Sequence, residues 1–188
     1  MGRSDATFDQ QVAFILRTYG DADFNTRYYG YMSHRTHRLD RAMKIIIAIG
    51  TTGSSISGWA VWKYGVGAEI WAVTACIASL LAITQPILNL NKTQEGFDRV
   101  WAAYNLVKME TYYALERIAR DPTNIARAIS SVEKLQNSIR SVYSDDKRIH
   151  SRRAWERIRN ESRKEIARDL PPIFREQAIS IFQDRSES

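Results

Sequence analysis

The 188-residue chain contains one cysteine, four prolines and nine glycines. The single cysteine, Cys76, cannot form an intrachain disulfide, so no disulfide framework holds the fold together. The chain also has no alternating apolar segments bounded by turn residues, which is the pattern expected of β-strands. We therefore expect an all-α protein.

The sequence also lacks the motifs typical of catalytic and phosphate-binding sites. It has no glycine-rich phosphate loop followed by Lys and Ser or Thr, and no nucleophile elbow. His34 and His37 have a spacing that suits a metal pair, but arginines flank them and no cysteine or carboxylate cluster accompanies them. We expect that the protein is not an enzyme and that it has no catalytic residue, cofactor or metal site.

Charged residues are absent from two long stretches of an otherwise polar chain. The mean hydropathy is −0.38, yet Ile45–Trp62 and Ile70–Asn91 carry no charge over 18 and 22 residues. A helix needs about 20 residues to cross the hydrocarbon core of a bilayer. We predict a transmembrane hairpin over residues 42–92, with spans at about 45–62 and 70–90.

The first uncharged stretch contains "GTTGSSISG", which would read as a flexible linker in water. On a helix, Gly50, Ser54 and Gly58 recur every four residues and form a small-residue row of the kind that lets membrane helices approach closely. In a soluble helix each glycine would cost about 0.8–1 kcal/mol relative to alanine. The second stretch has a row of its own, made of Ala68, Ala72, Ala75, Ser79 and Ala82. We predict that the two rows pack together; the alternative is a buried soluble hairpin.

Basic residues set the predicted orientation of this hairpin. The segment before it carries Arg35, Arg38, Arg41 and Lys44, and the segment after it carries Lys92 and Arg99. The connecting loop has one Lys and one Glu, so the positive-inside rule places both termini in the cytoplasm. A cluster of aromatic residues fits the outer interface: Trp59, Trp62, Tyr64 and Trp71.

Helical periodicity continues in the segments on either side, 1–41 and 93–188. We predict a first helix whose stripe over 8–19 ends at "GDAD", and a second that starts at Phe24 and leads into the first span. A stripe over 97–118 follows the second span, with Pro86 or Gly96 as the bend. "RDPTN" (120–124) then starts a helix that ends at "SDDK", and a helix over about 147–169 stops at "PPIF", before a short tail.

Two pairs of residues are candidates for function. Gln85 and Asn89 lie one turn apart near the cytoplasmic end of the second span, where they either cap a helix end or form a polar ring in an oligomeric pore. Trp101 and Tyr104 are large aromatic residues on a helix stripe, and we expect them to meet a neighbouring subunit.

The basic segment 147–168 contains nine basic and three acidic residues, which leaves three interpretations open. The segment is a solvated face with pairs such as Arg152/Glu156 and Arg157/Glu161, a contact for anionic lipid headgroups, or a nucleic-acid or nucleotide site. No aromatic residues are interleaved for base stacking, so we expect no specific nucleic-acid binding.

The arrangement of these elements resembles the SLATT superfamily of bacterial two-span membrane proteins. The resemblance covers about residues 24–170 and rests on the pre-helix "RYYGYMSHRTHRLDR" (27–41), the two spans and "FDRVWAAYNLVKMETYYAL" (97–115). It implies a component of a conflict system built on a nucleotide-signal synthase, a SLOG domain or a reverse transcriptase. It also implies a pore-forming effector of anti-phage defence, in the inner membrane, that depolarises infected cells.

Two classes of function therefore stay open. The first is a homo-oligomeric effector whose spans form or gate a pore, with a defence-system protein or a nucleotide signal as its trigger. The second is a membrane-anchored scaffold or sensor whose helices bind a cytoplasmic partner. The small rows favour self-association, whereas the absence of charge in the spans favours an anchor.

Overall fold

The computed structural model describes residues 2–56, 67–144 and 152–184, and the elements in these ranges are helical. The helices are α1 (Gly2–Ile56), α2 (Gly67–Leu88), α3 (Leu90–Arg120), α4 (Ile125–Ser144), α5 (Arg152–Asp169) and α6 (Arg175–Asp184). Short 3-10 turns, Pro122–Asn124 and Pro172–Phe174, precede α4 and α6. The expected all-α class is confirmed for the described residues.

Helix α1 is continuous over 55 residues, so the predicted helix end at "GDAD" is wrong. Gly20 is buried, and a Cβ added there would overlap the ring of Phe182 on α6. Asp23 is buried as well, at 1% exposure. These two residues are therefore used for tertiary packing, and the helix passes through them without a break.

The chain divides into two compact units, residues 1–31 with 97–188, and residues 32–96. In the first unit, α1, α3, α4, α5 and α6 bury one common core. Its large members are Val12, Ile15, Leu16, Tyr19, Leu115, Ile118, Val132, Ile166, Leu170, Phe174 and Phe182. The predicted stripe over 8–19 and the later part of the stripe over 97–118 thus form buried faces, as apolar periodicity requires.

Two of the predicted helix boundaries in the first unit are confirmed, the start after "RDPTN" and the end before "PPIF". The Asp121 carboxylate accepts hydrogen bonds from the Thr123 N–H at 3.0 Å and the Thr123 hydroxyl at 2.8 Å. These bonds lower the pKa of Asp121 and cap the turn that leads into α4. Helix α5 ends at Asp169, before the two prolines, but the expected short tail is in fact helix α6. The "SDDK" end lies almost entirely outside the described residues.

The hydropathy of the described helices bears on the predicted spans. No described helix is by itself long and apolar enough to cross a membrane. The pair Val73–Leu88 and Leu90–Arg120, bent by 44° at a short break, passes the same test of length and composition together. The end of the first predicted span and most of the connecting loop, 57–66, lie outside the described residues.

Candidate functional site

The second unit contains a close contact between α1 and α2. Gly50 is buried, and a Cβ added to it would overlap the Cβ of Ala78 while lying 3.8 Å from the carbonyl oxygen of Thr74. Ala78 is itself only 3% exposed. Because any larger residue at position 50 would meet Ala78, the two helices approach this closely only with glycine there.

The small-residue row predicted for α2 is wrong in its register. Of the predicted row, Ser79 and Ala82 are exposed and Ala75 is half-buried. Ala78, which is not in the row, is buried, and Thr74 and Leu81 are half-buried. The side chains of Ala68 and Ala72 lie outside the described residues. Size alone selected the predicted row, but the inward face of α2 is centred on the residue that meets Gly50 and includes larger neighbours.

Large apolar side chains cover the outward faces of both helices in this unit. On α2 they recur every three or four residues and are 47–75% exposed: Val73, Ile77, Leu80, Ile83 and Ile87. On α1, Ile45 and Ile49 are 51% and 59% exposed. A soluble monomer rarely shows a contiguous apolar surface of this extent, which indicates that lipid or a protein partner covers it.

The junction between α2 and α3 is a one-residue break at Asn89, whose φ is 43°. Asparagine tolerates this left-handed conformation better than most residues. Three residues earlier, Pro86 lacks the N–H that the carbonyl of Ala82 would otherwise accept, which weakens the end of α2. Gly96 lies inside α3, so neither of the residues expected to bend the chain is itself the break.

Gln85 and Asn89 line one open cleft in the second unit. The other residues around it are Asp40, Pro86, Leu90 and Asn91. Asp40 is 6% exposed, and the Lys44 ammonium lies 2.5 Å from its Oδ2. Sequence reasoning did not single out Asp40, although it is the one acid among the five basic residues of segment 27–44. The cleft therefore combines the two predicted amides with a buried carboxylate.

The remaining candidates of the first span cannot be placed in the same way. The backbone of Ser54 belongs to α1, but its side chain lies outside the described part of the chain. Gly58 and the aromatic residues Trp59, Trp62 and Tyr64 lie outside it entirely, as does the side chain of Trp71. Their predicted roles stay predictions.

The two predicted interface aromatics contact their own chain in the first unit. The ring of Tyr104 stacks on that of Tyr29, with centroids 5.8 Å apart and planes at 8°. The indole of Trp101 lies 3.4 Å from the position that a Cβ on Gly30 would take, and Trp101 stays 40% exposed. Their contact with a second subunit stays a prediction.

Helix α3 presents a different apolar stripe to its surroundings. Leu106, Met109 and Tyr113 follow each other at spacings of three and four residues and are 46–54% exposed. Sequence reasoning missed this stripe because charged residues, Lys108 and Glu110, interrupt it in the sequence. The three side chains form the outward apolar surface of α3 in the first unit.

A buried carboxylate joins three helices of the first unit. Asp23 on α1 accepts hydrogen bonds at Oδ2 from Arg27 Nε at 2.8 Å and from the Ser162 hydroxyl of α5 at 2.7 Å. Its Oδ1 accepts no hydrogen bond from the described residues, but the Lys108 ammonium of α3 lies 2.6 Å away as an ion pair. The charge of Asp23 is thus neutralised by close cations, as burial requires.

Arg27 extends this cluster toward the surface. Its guanidinium donates to Glu165 at 2.5 Å and lies 3.9 Å from Asp169. Burial lowers the pKa of Arg27, but the Glu165 hydrogen bond and the Asp23 charge outweigh it, so the net pKa is raised. Burial, followed by the charge of Asp23, also raises the pKa of Tyr19. Sequence reasoning missed the whole cluster because "GDAD" was interpreted as a helix end.

The basic helix α5 carries the ion pairs expected of a solvated face. Arg152 and Glu156 are 3.0 Å apart and Arg157 and Glu161 are 3.8 Å apart. All four side chains are more than half exposed, so each pair contributes less than about 1 kcal/mol to stability. This confirms the pairs, while lipid or nucleotide contact stays untested.

The histidine pair noted in the sequence is not joined by further metal ligands among the described residues. His34 and His37 are exposed, and within the described ranges no three His, Cys, Asp or Glu residues are grouped to hold a metal ion. No family model, curated protein or solved structure matches the chain.

Proposed function

We propose that this chain is a membrane-embedded effector of a bacterial defence or conflict system. Residues 42–92 insert into the inner membrane as a hairpin, with both termini in the cytoplasm. The chain assembles with copies of itself to form or gate a pore that depolarises the membrane. The observation that carries this proposal is the exposed apolar surface of α1 and α2 in the second unit. Lipid would remove this surface from contact with water, which is favourable.

The contact at Gly50 supports the hairpin. In lipid the hydrophobic effect does not drive helices together, so close packing of small residues supplies much of their association. Gly50 and Ala78 provide such packing. The resemblance to SLATT proteins, rather than any contact in the structure, suggests the step from hairpin to pore.

Ion flux tests the pore directly. The full chain, reconstituted in liposomes or overexpressed in bacteria, should collapse an imposed membrane potential reported by a voltage-sensitive dye. Gly50→Leu should suppress this flux, because the new side chain overlaps Ala78 and forces the helices apart. Ile49→Leu, on the exposed face, is the matched control and should conduct like the wild type.

Two results would count against the proposal. Wild-type protein that inserts but never carries ions would remove the pore. A Gly50→Leu variant that conducts normally would leave the pore but show that this helix contact does not build it.

A membrane-anchored scaffold or sensor is the second candidate, and one observation favours it. The exposed stripe of Leu106, Met109 and Tyr113 on α3 offers a cytoplasmic protein an apolar surface of the kind found in binding sites. In that case the hairpin would serve as the anchor, and the protein would insert without ion flux.

A further inference from the structure

Several side chains with hydrogen-bond acceptors line the cleft around Asp40. Asp40 is 6% exposed, and Lys44 pairs with its Oδ2. The side-chain amides of Gln85, Asn89 and Asn91 line the cleft with it. Carboxylate and amide oxygens accept hydrogen bonds, so this constellation is suited to a bound donor group.

The local electrostatics favour a cation in this cleft. The carboxylate of Asp40 faces the C-terminal end of α2, where the helix dipole carries partial negative charge. A divalent metal ion is a poorer match, because the cleft holds one carboxylate and the ammonium of Lys44 already pairs with it.

We propose that the cleft binds the primary ammonium group of a phosphoethanolamine lipid headgroup. An ammonium has three N–H donors, which Asp40 Oδ1 and the amide oxygens of Gln85 and Asn89 accept. The headgroup phosphate pairs with Lys44, which is 53% exposed at its side chain. Asp40 and Lys44 form an ion pair without net charge, so a lone cation would give the site an excess positive charge. A zwitterionic headgroup carries both signs and leaves the site neutral.

The position of the cleft indicates a lipid rather than a free metabolite. Lys44 directly precedes the exposed Ile45 of α1, Asp40 lies one turn before Lys44, and Asn89 directly follows the exposed Leu88 of α2. A headgroup in the cleft would leave its acyl chains free to cover these surfaces. This inference rests on the proposed membrane function.

Native mass spectrometry of the detergent-purified full chain tests the inference. We expect more bound phosphatidylethanolamine than phosphatidylcholine at equal concentration, because the quaternary choline group has no N–H to donate. Asp40→Asn should lower this preference about tenfold, the effect of neutralising a charged acceptor. Asp9→Asn, an exposed carboxylate of the first unit, should leave it unchanged. Free phosphoethanolamine, but not phosphocholine, should compete.

Far-UV circular dichroism distinguishes loss of the site from loss of the fold. If Asp40→Asn loses helical content, Gln85→Ala replaces it as the test and should also reduce the preference. Equal binding of both lipids, or an undiminished preference in a folded variant, would overturn the inference. The inference would also be overturned if the protein bound potassium through Asp40 and showed no preference between the two lipids. A preference for phosphatidylethanolamine in a protein that never conducts ions would support the site and remove only the pore. Binding of neither lipid in a protein that conducts ions would overturn only the site.

Discussion

At the scale of single residues, glycines in this chain have opposite roles. The space that a Cβ would take at Gly20 is occupied by the ring of Phe182, and the space at Gly50 is occupied by the Cβ of Ala78. Gly96 has nothing within 4 Å of that position and lies inside helix α3. The first two glycines permit close packing, whereas the third only adds backbone entropy to the unfolded state.

Substitution by alanine should therefore change stability in opposite directions at two of these sites. Gly20→Ala should lower the free energy of unfolding by about 1–3 kcal/mol, the usual cost of overpacking a core. Gly96→Ala should raise it by about 0.5–1 kcal/mol, because alanine is the better helix former. Urea unfolding followed by circular dichroism measures both, and equal stability of Gly20→Ala and wild type would contradict the packing described for Phe182.

At the scale of helices, Asp23 joins elements that are far apart in the sequence. Its two oxygens face Lys108 of α3 and Ser162 of α5, while Arg27 lies one turn along α1. A buried ion pair adds little compared with an apolar contact of the same volume, but loss of one partner leaves unpaired charge. The cluster thus makes the packing of these three helices depend on one carboxylate.

Asp23→Ala should destabilise the protein by about 3 kcal/mol, the lower end of the range for breaking a buried pair. The lower end applies because Arg27 and Lys108 keep roughly a quarter of their side chains exposed to solvent. Asp9→Ala, at an exposed position on the same helix, is the control and should be nearly neutral. The shift of the urea midpoint measures the difference; similar midpoints for the two variants would show that the cluster is not needed for packing.

Sequence periodicity predicts the helices but not how they meet. The stripes over 8–19 and 97–118 follow from the spacing of their apolar residues, and Asp121 with Pro122 marks a helix start by local chemistry. Gly20 packs against Phe182, and the buried Asp23 contacts Lys108 and Ser162. These contacts are long-range and leave no local signal, so the sequence around "GDAD" does not reveal that α1 continues through it. For the same reason, residue size suggested Gly50 but did not identify Ala78 as its partner.

At the scale of the whole molecule, the two units differ in what their surfaces offer. The first unit buries its apolar stripes in a common core and carries solvated ion pairs on α5. The second unit leaves large aliphatic side chains exposed on α1 and α2. Sequence reasoning located the apolar stretches through their lack of charge, while Asp40 and its cleft depend on side chains that only the folded chain brings together. We have proposed that this second unit lies in a membrane.

Cysteine labelling in intact cells tests that claim most directly. In a Cys76→Ser background, single cysteines at Gly65, Ser4 and Ser186 would be treated with a membrane-impermeant maleimide before and after permeabilisation. We predict that the cysteine at position 65 reacts in intact cells, and that those at positions 4 and 186 react only after permeabilisation. Labelling of either terminus from outside, or equal protection of all three positions in intact cells, would contradict the hairpin.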